Sequence, residues 1–495
     1  MVCQDKFLTL LFRKKTGDNF RKVLTCFRIC VRDLVSVSRN ILKIFIFFQS
    51  ILYTQGAAMK QIHVAILGFG TVGSGVAKIL LENREILRAR TGIDLNLKYV
   101  ADIDTEKDRG ITLGKGVLIS DARKAIHDPE VDIVAELIGG KGIAKTLILE
   151  AIGQGKHVVT ANKALIAAHG NEIVSEAREK RVDFMYEASV GGCMPIIKSL
   201  RESLVGNRIF AMTGILNGTC NYILSKITEE GSTFADALKG AQQAGFAEAD
   251  PTLDVEGFDT AHKLAILNAL AYGMKINLED IYVEGITKIT PYDIAFAGEF
   301  GYKVKLLAIG KARGNAVEAR IHPTMIPLSN PLSNISGSLN AITISADAVG
   351  DMMLCGYGAG MMPTGSAVVS DIVDIARNMA SGAGQRIPHL SWQTESVKEI
   401  PILSIDEIET HYYFRFAAAD QPGVLSKISG ILGKYGISIA SVHQKGRKTE
   451  GPVPIVMLTH KAKEADVKKA MKEIMELDVV RAEPMLIRIE ESEQL

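Results

Sequence analysis

The sequence predicts an α/β fold, with a parallel sheet near the amino end and a smaller mixed sheet at the carboxyl end. Residues 61–67 form a β-rich run that leads through the glycine turn Gly68–Gly73 into a helical period. Two further buried strands are predicted within 131–140 and 156–165, and this alternation is typical of a Rossmann-type doubly wound sheet. From 411 to 489 the pattern follows the order β, α, β, β, α, β, which predicts a ferredoxin-like domain.

The overall composition limits the classes of binding partner that are expected. The chain has 495 residues, with 57 Lys and Arg against 56 Asp and Glu, which gives a formal net charge of +1. This balance gives no electrostatic reason to expect nucleic acid or a membrane surface as a partner. The 6 cysteines include no CxxC pair, which is typical of reduced thiols in a cytoplasmic protein rather than of a disulfide framework.

Residues 1–58 differ in composition from the rest and are predicted to lie outside the fold. The segment is basic, and its apolar run at 41–52 is too short to span a bilayer. Met59 opens a run that passes almost directly into the first predicted strand. The favoured interpretation is therefore a start codon assigned upstream of Met59, and the alternative is an Arg-rich, acid-poor transit-like segment.

The glycine turn after the first strand predicts a dinucleotide site. Such a turn lets the backbone approach a pyrophosphate, and the helix behind it offers unpaired N–H groups. The residues assigned to the cofactor are Gly68, Phe69, Gly70, Thr71, Val72 and Gly73. Asp102, near the end of the second predicted strand, could hold the ribose hydroxyls of NAD. NAD is favoured because Ile103 stands where an arginine would suit NADP, but NADP stays open because Lys107 and Arg109 follow in the same loop.

A carboxylate and an amine share one face of a predicted helix at 257–267. Asp259 and Lys263 are four residues apart, so both side chains project in the same direction. Most other positions of this run carry Ala, Leu or Ile, which is core material. Burial moves a lysine pKa towards neutrality and a nearby carboxylate keeps it charged. The pair is therefore suited to proton transfer, and an ordinary surface ion pair is the alternative.

Two polar turns carry further candidates. The run at 160–163 ends with Lys163, and ligands of open α/β sheets bind at the carboxyl ends of the strands. A solvated lysine at a helix start is the alternative. Glu187 is followed by backbone carbonyls near Val190 and Gly192, and hard cations favour such oxygen ligands. A glutamate that caps a turn is the alternative there.

Six motifs occur in one order between about 59 and 380: GFGTVG, VVTANKAL, YEASVGG, GILNGTCNYIL, AEADPTLDVEGFDTAHKLAIL and GYGAGMMPTGSAVVSDI. In these motifs the chain resembles homoserine dehydrogenase, in its long form with a carboxyl-terminal ACT domain. The motif ADQPGVL, at the start of the ferredoxin-like region, resembles the ACT signature. Visible departures from the family pattern are Cys220 and Gly365, and neither is a charged site residue.

The resemblance implies a reaction and a role for each candidate residue. The family interconverts L-homoserine and L-aspartate 4-semialdehyde with NAD or NADP, in threonine, methionine and isoleucine biosynthesis. Lys263 would be the catalytic proton donor and acceptor, and Asp259 its partner and a substrate contact. The residues implied on the substrate side are Glu248, Asp254 and Lys163, of which Lys163 also lies near the nicotinamide. Gly360 would approach the cofactor, and a structural sodium ion would be held by Glu187, Val190, Gly192 and Met194.

The resemblance also implies the domain order. The nucleotide domain would comprise 59–190 and 356–380, with an inserted α+β substrate-binding and dimerisation domain at 191–355 between its two parts. Residues 381–409 would form a linker, and 410–490 the ACT domain. The implied assembly is a homodimer or a homotetramer.

The implied role of the ACT domain is feedback sensing of an amino acid, with threonine as the expected effector. Gly423 would let a loop close over the effector at a helix N-terminus, and Asp420 or nearby backbone groups would orient it. The alternative is a dimerisation module without an effector.

Two alternatives to the whole interpretation are another nicotinamide dehydrogenase, such as an aspartate dehydrogenase, and a catalytically silent amino-acid sensor. The first leaves the long middle region unexplained. The second is disfavoured because every candidate charged residue is present. A fused kinase domain would not fit in the 58 residues that precede Met59.

Overall fold

The computed structural model describes residues 59–444 and 452–491. The predictions made for 1–58 therefore lie outside the described residues. In the described part of the chain, no helix is both long enough and apolar enough to cross a bilayer.

The first sheet has six strands in the order β3-β2-β1-β4-β5-β6. Its strands are β1 Lys60–Leu67, β2 Ile93–Ala101, β3 Leu118–Ile119, β4 Ile133–Glu136, β5 His157–Thr160 and β6 Phe184–Met185. Its helices are α1 Thr71–Glu82, α2 Arg84–Thr91, α3 Ala122–His127, α4 Ile143–Gly153 and α5 Lys163–Glu179. The pairs β1–β4, β4–β5, β5–β6 and β2–β3 are all parallel. This strand order is that of a doubly wound Rossmann sheet, so the predicted fold class is confirmed.

A long helix from much later in the chain completes this domain. This helix, α12, spans Met361–Ser381 and packs Val368 and Ile372 into the same hydrophobic core as Ile62 and Val64 of β1. It also approaches α1 closely, since a Cβ added to Gly75 would lie 2.2 Å from the carbonyl oxygen of Met361. Only glycine permits this helix–helix distance.

The second sheet belongs to the middle of the chain and continues into the carboxyl end. Its middle-region strands are β7 Ile209–Ile215, β8 Tyr282–Val283, β9 Tyr302–Arg313, β10 Ala316–Pro327, β11 Leu339–Ala346 and β12 Gly350–Tyr357. The helices of the middle region are α6 Ile196–Lys198, α7 Gly218–Glu230, α8 Phe234–Gln243, α9 Thr252–Val255, α10 Phe258–Tyr272 and α11 Pro291–Glu299. Most of α10 is buried, as expected for a helix that is apolar on nearly every face.

The carboxyl-terminal region has the predicted ferredoxin-like order of elements. They are β13 Glu409–Ala418, α13 Val424–Lys434, β14 Ile439–Gln444, β15 Val453–Thr459, β16 Ala462–Lys463, α14 Glu464–Met475 and β17 Met485–Ile489. Its sheet is not separate. The parallel pair β10–β17 joins it to the middle sheet, in the order β12-β11-β7-β9-β10-β17-β13-β15-β14. The carboxyl-terminal region and the middle region therefore share one continuous sheet.

Candidate active site

The glycine turn after β1 has the geometry that a dinucleotide requires. Gly68 has φ of +100°, and a Cβ there would lie 2.6 Å from the carbonyl oxygen of Leu137. A Cβ on Gly73 would lie 2.0 Å from the carbonyl oxygen of Gly68, whereas nothing lies within 4 Å of one on Gly70. Gly70 precedes α1 as its N-cap, so the backbone is open to a ligand at the positive end of that helix. These residues fit a nicotinamide dinucleotide.

Asp102 lies beside this turn, as predicted, but its carboxylate is already engaged. One oxygen accepts a 2.6 Å hydrogen bond from the amide of Phe69, and the other accepts from the amide of Asp104. Arg109 completes the arrangement, with Nη2 3.3 Å from Asp102 Oδ1 and the guanidinium 5.0 Å from the centre of the Phe69 ring. Arg109 Nε also donates to the carbonyl of Phe69 at 2.6 Å. An arginine therefore lies beside Asp102 at the glycine turn.

The predicted proton-transfer pair is formed inside the protein. Lys263 Nζ donates to Asp259 Oδ2 at 2.7 Å and to the carbonyl oxygen of Leu216. Lys263 is 6% exposed and Asp259 is 7% exposed, which excludes the ordinary surface ion pair. Asp259 Oδ1 lies 2.8 Å from the amine of Lys163. Lys163 is the first residue of α5 and follows β5 directly, so this cluster lies at the carboxyl end of the Rossmann sheet.

The electrostatics of the cluster lower the pKa of Lys263 and keep Asp259 ionised. Burial lowers the pKa of Lys263 against the opposing attraction of Asp259, and the charge of Lys163 lowers it further. Burial alone would raise the pKa of Asp259, but the attraction of Lys263 and Lys163 outweighs it, so this pKa falls below its ordinary value. The attraction of Asp259 raises the pKa of Lys163. Of the two lysines in this cluster, Lys263 is therefore the one that releases its proton more readily.

Sequence reasoning missed Asn217. This residue caps α7, where its side-chain oxygen accepts from the amide of Cys220. Its Nδ2 donates to Asp254 Oδ1 at 2.7 Å and to Asp259 Oδ2 at 3.0 Å, so one amide holds both carboxylates. Its position before a helical run marks it as a cap, but that signal does not indicate the partners of the other amide atom.

The two predicted substrate carboxylates differ in environment. Burial raises the pKa of Asp254 despite its hydrogen bond from Asn217. Glu248 is exposed, on the loop between α8 and α9. Its charge and that of Asp254 both raise the pKa of Lys163, so both acids lie in the electrostatic range of the cluster.

Glu187 caps a turn, and its predicted role in metal binding stays a prediction. Its carboxylate accepts hydrogen bonds from the amides of Ile197 at 2.9 Å and Lys198 at 2.7 Å, and its own amide donates to Asp371 of α12 at 2.8 Å. Burial, and next the negative charge of Asp371, raise the pKa of Glu187 to about 8. Among the described residues, no group of three or more His, Cys, Asp and Glu side chains is arranged to hold a metal ion.

The glycines of the turn after Glu187 let this turn pack against the loop that precedes α12. A Cβ on Gly192 would lie 2.5 Å from the carbonyl oxygen of Tyr357, and the amide of Cys193 donates to the same oxygen at 3.1 Å. Val190 and Met194 are buried in this turn. Gly360, at the end of the neighbouring loop, has φ of +125° and is the N-cap of α12.

The predicted effector residues are exposed at the start of α13. Gly423 is the N-cap of this helix with φ of +89°, and nothing lies within 4 Å of a Cβ placed on it. Asp420 is exposed three residues earlier. The backbone is therefore accessible at a helix N-terminus, which suits an anionic group such as an amino-acid carboxylate.

Comparison with known proteins gives consistent matches along the chain. Residues 195–373 match the family model described as homoserine dehydrogenase, and 68–187 match that described as homoserine dehydrogenase, NAD binding domain. Residues 412–479 match the ACT domain. A homoserine dehydrogenase of Neisseria gonorrhoeae is 45% identical over 87% of this chain and 99% of its own length.

Solved structures agree with these matches. The crystal structure of a homoserine dehydrogenase from Thiobacillus denitrificans has a TM-score of 0.83 and 44% identity, and covers 88% of this chain and 99% of that one. A hyperthermophilic archaeal homoserine dehydrogenase mutant, solved in complex with NADPH, has a TM-score of 0.55 and 28% identity, over 64% of this chain and 98% of that one. The chain therefore belongs to the homoserine dehydrogenase family, as a nicotinamide-dependent oxidoreductase with a carboxyl-terminal ACT domain.

Proposed function

We propose that this chain interconverts L-homoserine and L-aspartate 4-semialdehyde, with Lys263 as the proton donor and acceptor. The observation that carries the proposal is the buried Lys263–Asp259 pair at the carboxyl end of the Rossmann sheet. The pathway role that follows is in threonine, methionine and isoleucine biosynthesis.

The residues divide the work of the reaction between them. The bound nicotinamide accepts or supplies the hydride. In the oxidation, neutral Lys263 takes the proton of the substrate hydroxyl, and Asp259 stabilises the ammonium group that forms. In the reduction, Lys263 returns this proton to the oxygen. Lys163 keeps its positive charge because of Asp259, and it stabilises negative charge on the reacting oxygen.

Glu248 and Asp254 are proposed to bind the substrate's ammonium group. Two carboxylates near Lys163 can recognise the amino-acid end of the substrate while its other end reaches Lys263. Asn217 supports this arrangement, since its amide fixes Asp254 relative to Asp259. Glu248, which is exposed, would gain order when the substrate binds.

Arg109 bears on the choice between NAD and NADP. Its Nε and Nη1 donate to the carbonyl oxygens of Phe69 and Lys107, and its Nη2 lies 3.3 Å from Asp102 Oδ1. These contacts engage at most three of its five N–H donors. A 2′-phosphate at the ribose would meet the remaining donors and a positive charge. We therefore propose that NADP is accepted and that Arg109 binds its 2′-phosphate, which departs from the preference for NAD drawn from Ile103.

Arg109→Gln is expected to raise KM for NADP about tenfold, because a charge-assisted contact of this kind contributes about 1.5–3 kcal/mol. KM for NAD should change little, since NAD lacks the phosphate. The measurement is steady-state kinetics with each cofactor. Arg90→Gln, at an exposed arginine of α2, is the matched control. Equal increases for both cofactors would count against the assignment.

The ACT domain is proposed to sense threonine through Gly423 and Asp420. Gly423→Asp is expected to remove inhibition by threonine while kcat without threonine stays within about twofold, because a side chain and a negative charge then occupy the N-terminus of α13. Gly436→Asp is the control: Gly436 has φ of +73° and equally open surroundings after the same helix. A wild-type threonine response in Gly423→Asp would reject the proposed site.

Three further predictions rest on the resemblance. A structural sodium ion would use the remaining lone pairs of Glu187 and the carbonyl oxygens of Val190, Gly192 and Met194. No step of the reaction uses this ion. A melting temperature that is equal in NaCl and KCl would count against the sodium site. The homodimeric or homotetrameric assembly and the cytoplasmic location also stay predictions, which sedimentation and cell fractionation can test.

A further inference from the structure

We propose that Arg488, on β17 of the ACT domain, is a positioning residue for the Asp259–Lys263 pair, which it reaches through the segment 282–286. The inference rests on the proposed roles of Asp259 and Lys263. It gives the carboxyl-terminal domain a part in catalysis even without an effector.

The first contact of Arg488 is within its own domain. Its Nε donates to Glu464 Oε2 at 3.0 Å, and Nη2 donates to Glu464 Oε1. Glu464 is 1% exposed, Arg488 is 3% exposed, and Tyr412 also donates to Glu464 at 2.8 Å. A buried bidentate pair holds the planar guanidinium in one orientation.

The opposite edge of the same guanidinium contacts residues outside the ACT domain. Nη1 donates to Glu284 Oε2 at 2.8 Å, Nη2 lies 3.4 Å from the hydroxyl of Tyr282, and the group lies 5.1 Å from the centre of the Tyr282 ring. Tyr282 also donates to Glu284 at 2.9 Å. Arg488 thus connects the ACT core to the segment 282–286.

The segment 282–286 is closely packed against the turn that precedes α10. The amide of Ile286 donates to the carbonyl oxygen of Val255 at 2.8 Å. A Cβ on Gly285 would lie 2.3 Å from that same oxygen, and one on Gly257 would lie 3.1 Å from Val283. Because close-packed groups transmit displacement, a shift of 282–286 must move the turn at 255–257.

The turn at 255–257 determines where the catalytic carboxylates lie. Gly257 has φ of +87° and is the N-cap of α10, and its amide donates to the carbonyl oxygen of Asp254 at 3.0 Å. Asp259 lies in the first turn of that helix. Displacement of Gly257 therefore changes the geometry of Asp254 and Asp259, and through Asp259 that of Lys263.

A pH profile can detect this effect because the environment of Lys263 depends on the same packing. The titratable groups that face Lys263 are Asp259 and His262 on α10, Lys163 on α5, Asp254 on α9 and Cys220 on α7. Burial is the largest cause of its lowered pKa. Water that enters when α10 shifts would raise the pKa of Lys263, and the rising limb of the oxidation rate would move to higher pH.

The test is Arg488→Met in the full chain, assayed for homoserine oxidation without effector. We expect kcat to fall about tenfold and the rising limb of the kcat–pH profile to move up by about half a pH unit or more. KM for homoserine should change less than kcat. Glu284→Gln changes the segment 282–286 itself and keeps the shape of the side chain. It should shift the rising limb of the kcat–pH profile in the same direction. If Arg488→Met does not fold, Glu284→Gln decides the test.

Arg415→Met is the matched control. Arg415 also joins the ACT domain to the middle domain, through a bidentate pair with Asp293 of α11 at 2.6 and 3.1 Å. This pair does not involve the segment 282–286. We expect Arg415→Met to lower the melting temperature while the pH limb stays at the wild-type value.

The outcomes distinguish a failure of the positioning role of Arg488 from a failure of the proposed function. A wild-type limb in both Arg488→Met and Glu284→Gln, or an equal shift in Arg415→Met, would overturn the positioning role. Lys263→Met is assayed in parallel: if it keeps wild-type kcat, the proposed function itself fails. If it is inactive and the limb moves only in Arg488→Met and Glu284→Gln, both stand.

Discussion

Replacement of Lys263 by methionine is expected to lower kcat for homoserine oxidation by at least about a hundredfold, because general acid–base catalysis contributes about that much or more. Methionine keeps most of the apolar stem and removes the only group of the cluster whose pKa is lowered towards the working range. Asp259 and Lys163 would remain as an ion pair. Neither can replace Lys263, since the pKa of Asp259 is depressed and that of Lys163 is raised.

The measurement is kcat and KM by nicotinamide absorbance, together with cofactor binding by fluorescence titration. Binding should persist, since Lys263 lies outside the glycine turn. Lys305→Met is the control: Lys305 is also buried, donates to Asn221 at 3.1 Å, and burial lowers its pKa to about 8. Its kcat should stay within about threefold of wild type. Wild-type turnover in Lys263→Met would reject the catalytic assignment.

Gly73→Ala is expected to abolish measurable cofactor binding, the second largest effect. The added methyl group would lie 2.0 Å from the carbonyl oxygen of Gly68, far inside van der Waals contact. Either β1 or α1 must move, and both flank the open backbone at Gly70. The cofactor site depends on this close approach of strand and helix. The loss of cofactor-binding free energy should therefore exceed about 1–3 kcal/mol, the ordinary cost of an overpacked site.

Isothermal titration with NADP and a thermal melt would measure this prediction. Gly153→Ala is the matched control, since Gly153 also lies in a helix of the nucleotide domain and has nothing within 4 Å of an added Cβ. That variant should bind NADP with wild-type affinity. Retained binding in a folded Gly73→Ala protein would mean that the glycine turn is not the cofactor cradle.

The parts of the site that sequence alone could predict are local in the chain. Asp259 and Lys263 are one helical turn apart, so their contact follows from helix geometry. The strand, glycine turn and helix at 61–82 are likewise contiguous. The bridge from Asn217 to Asp259 spans 42 residues, and no local pattern determines such a contact.

The same reason explains what sequence analysis missed in the fold. The continuous sheet depends on β10 and β17, which pair over Thr324–Arg488 and Met325–Ile489. Hydrophobic alternation predicts that both strands exist but not that they are neighbours. The last strand of the order predicted over 411–489 begins only at Met485 and ends at Ile489, directly after Pro484, which lacks the amide hydrogen that a paired strand needs.

Glu187 illustrates a different limit. An acid followed by exposed carbonyls can be a metal ligand or a cap, and spacing does not separate the two. The structure shows the capping contacts, from the amides of Ile197 and Lys198, which lie beyond the glycine turn at Gly191 and Gly192. The metal-binding role stays a prediction.

The most direct test of the central claim is homoserine-dependent reduction of NAD or NADP by the full chain, followed at the nicotinamide absorbance with and without threonine. The account predicts turnover with homoserine, use of NADP, and a lower rate when threonine is added. A folded protein that binds NADP and turns over no homoserine with either cofactor would contradict it.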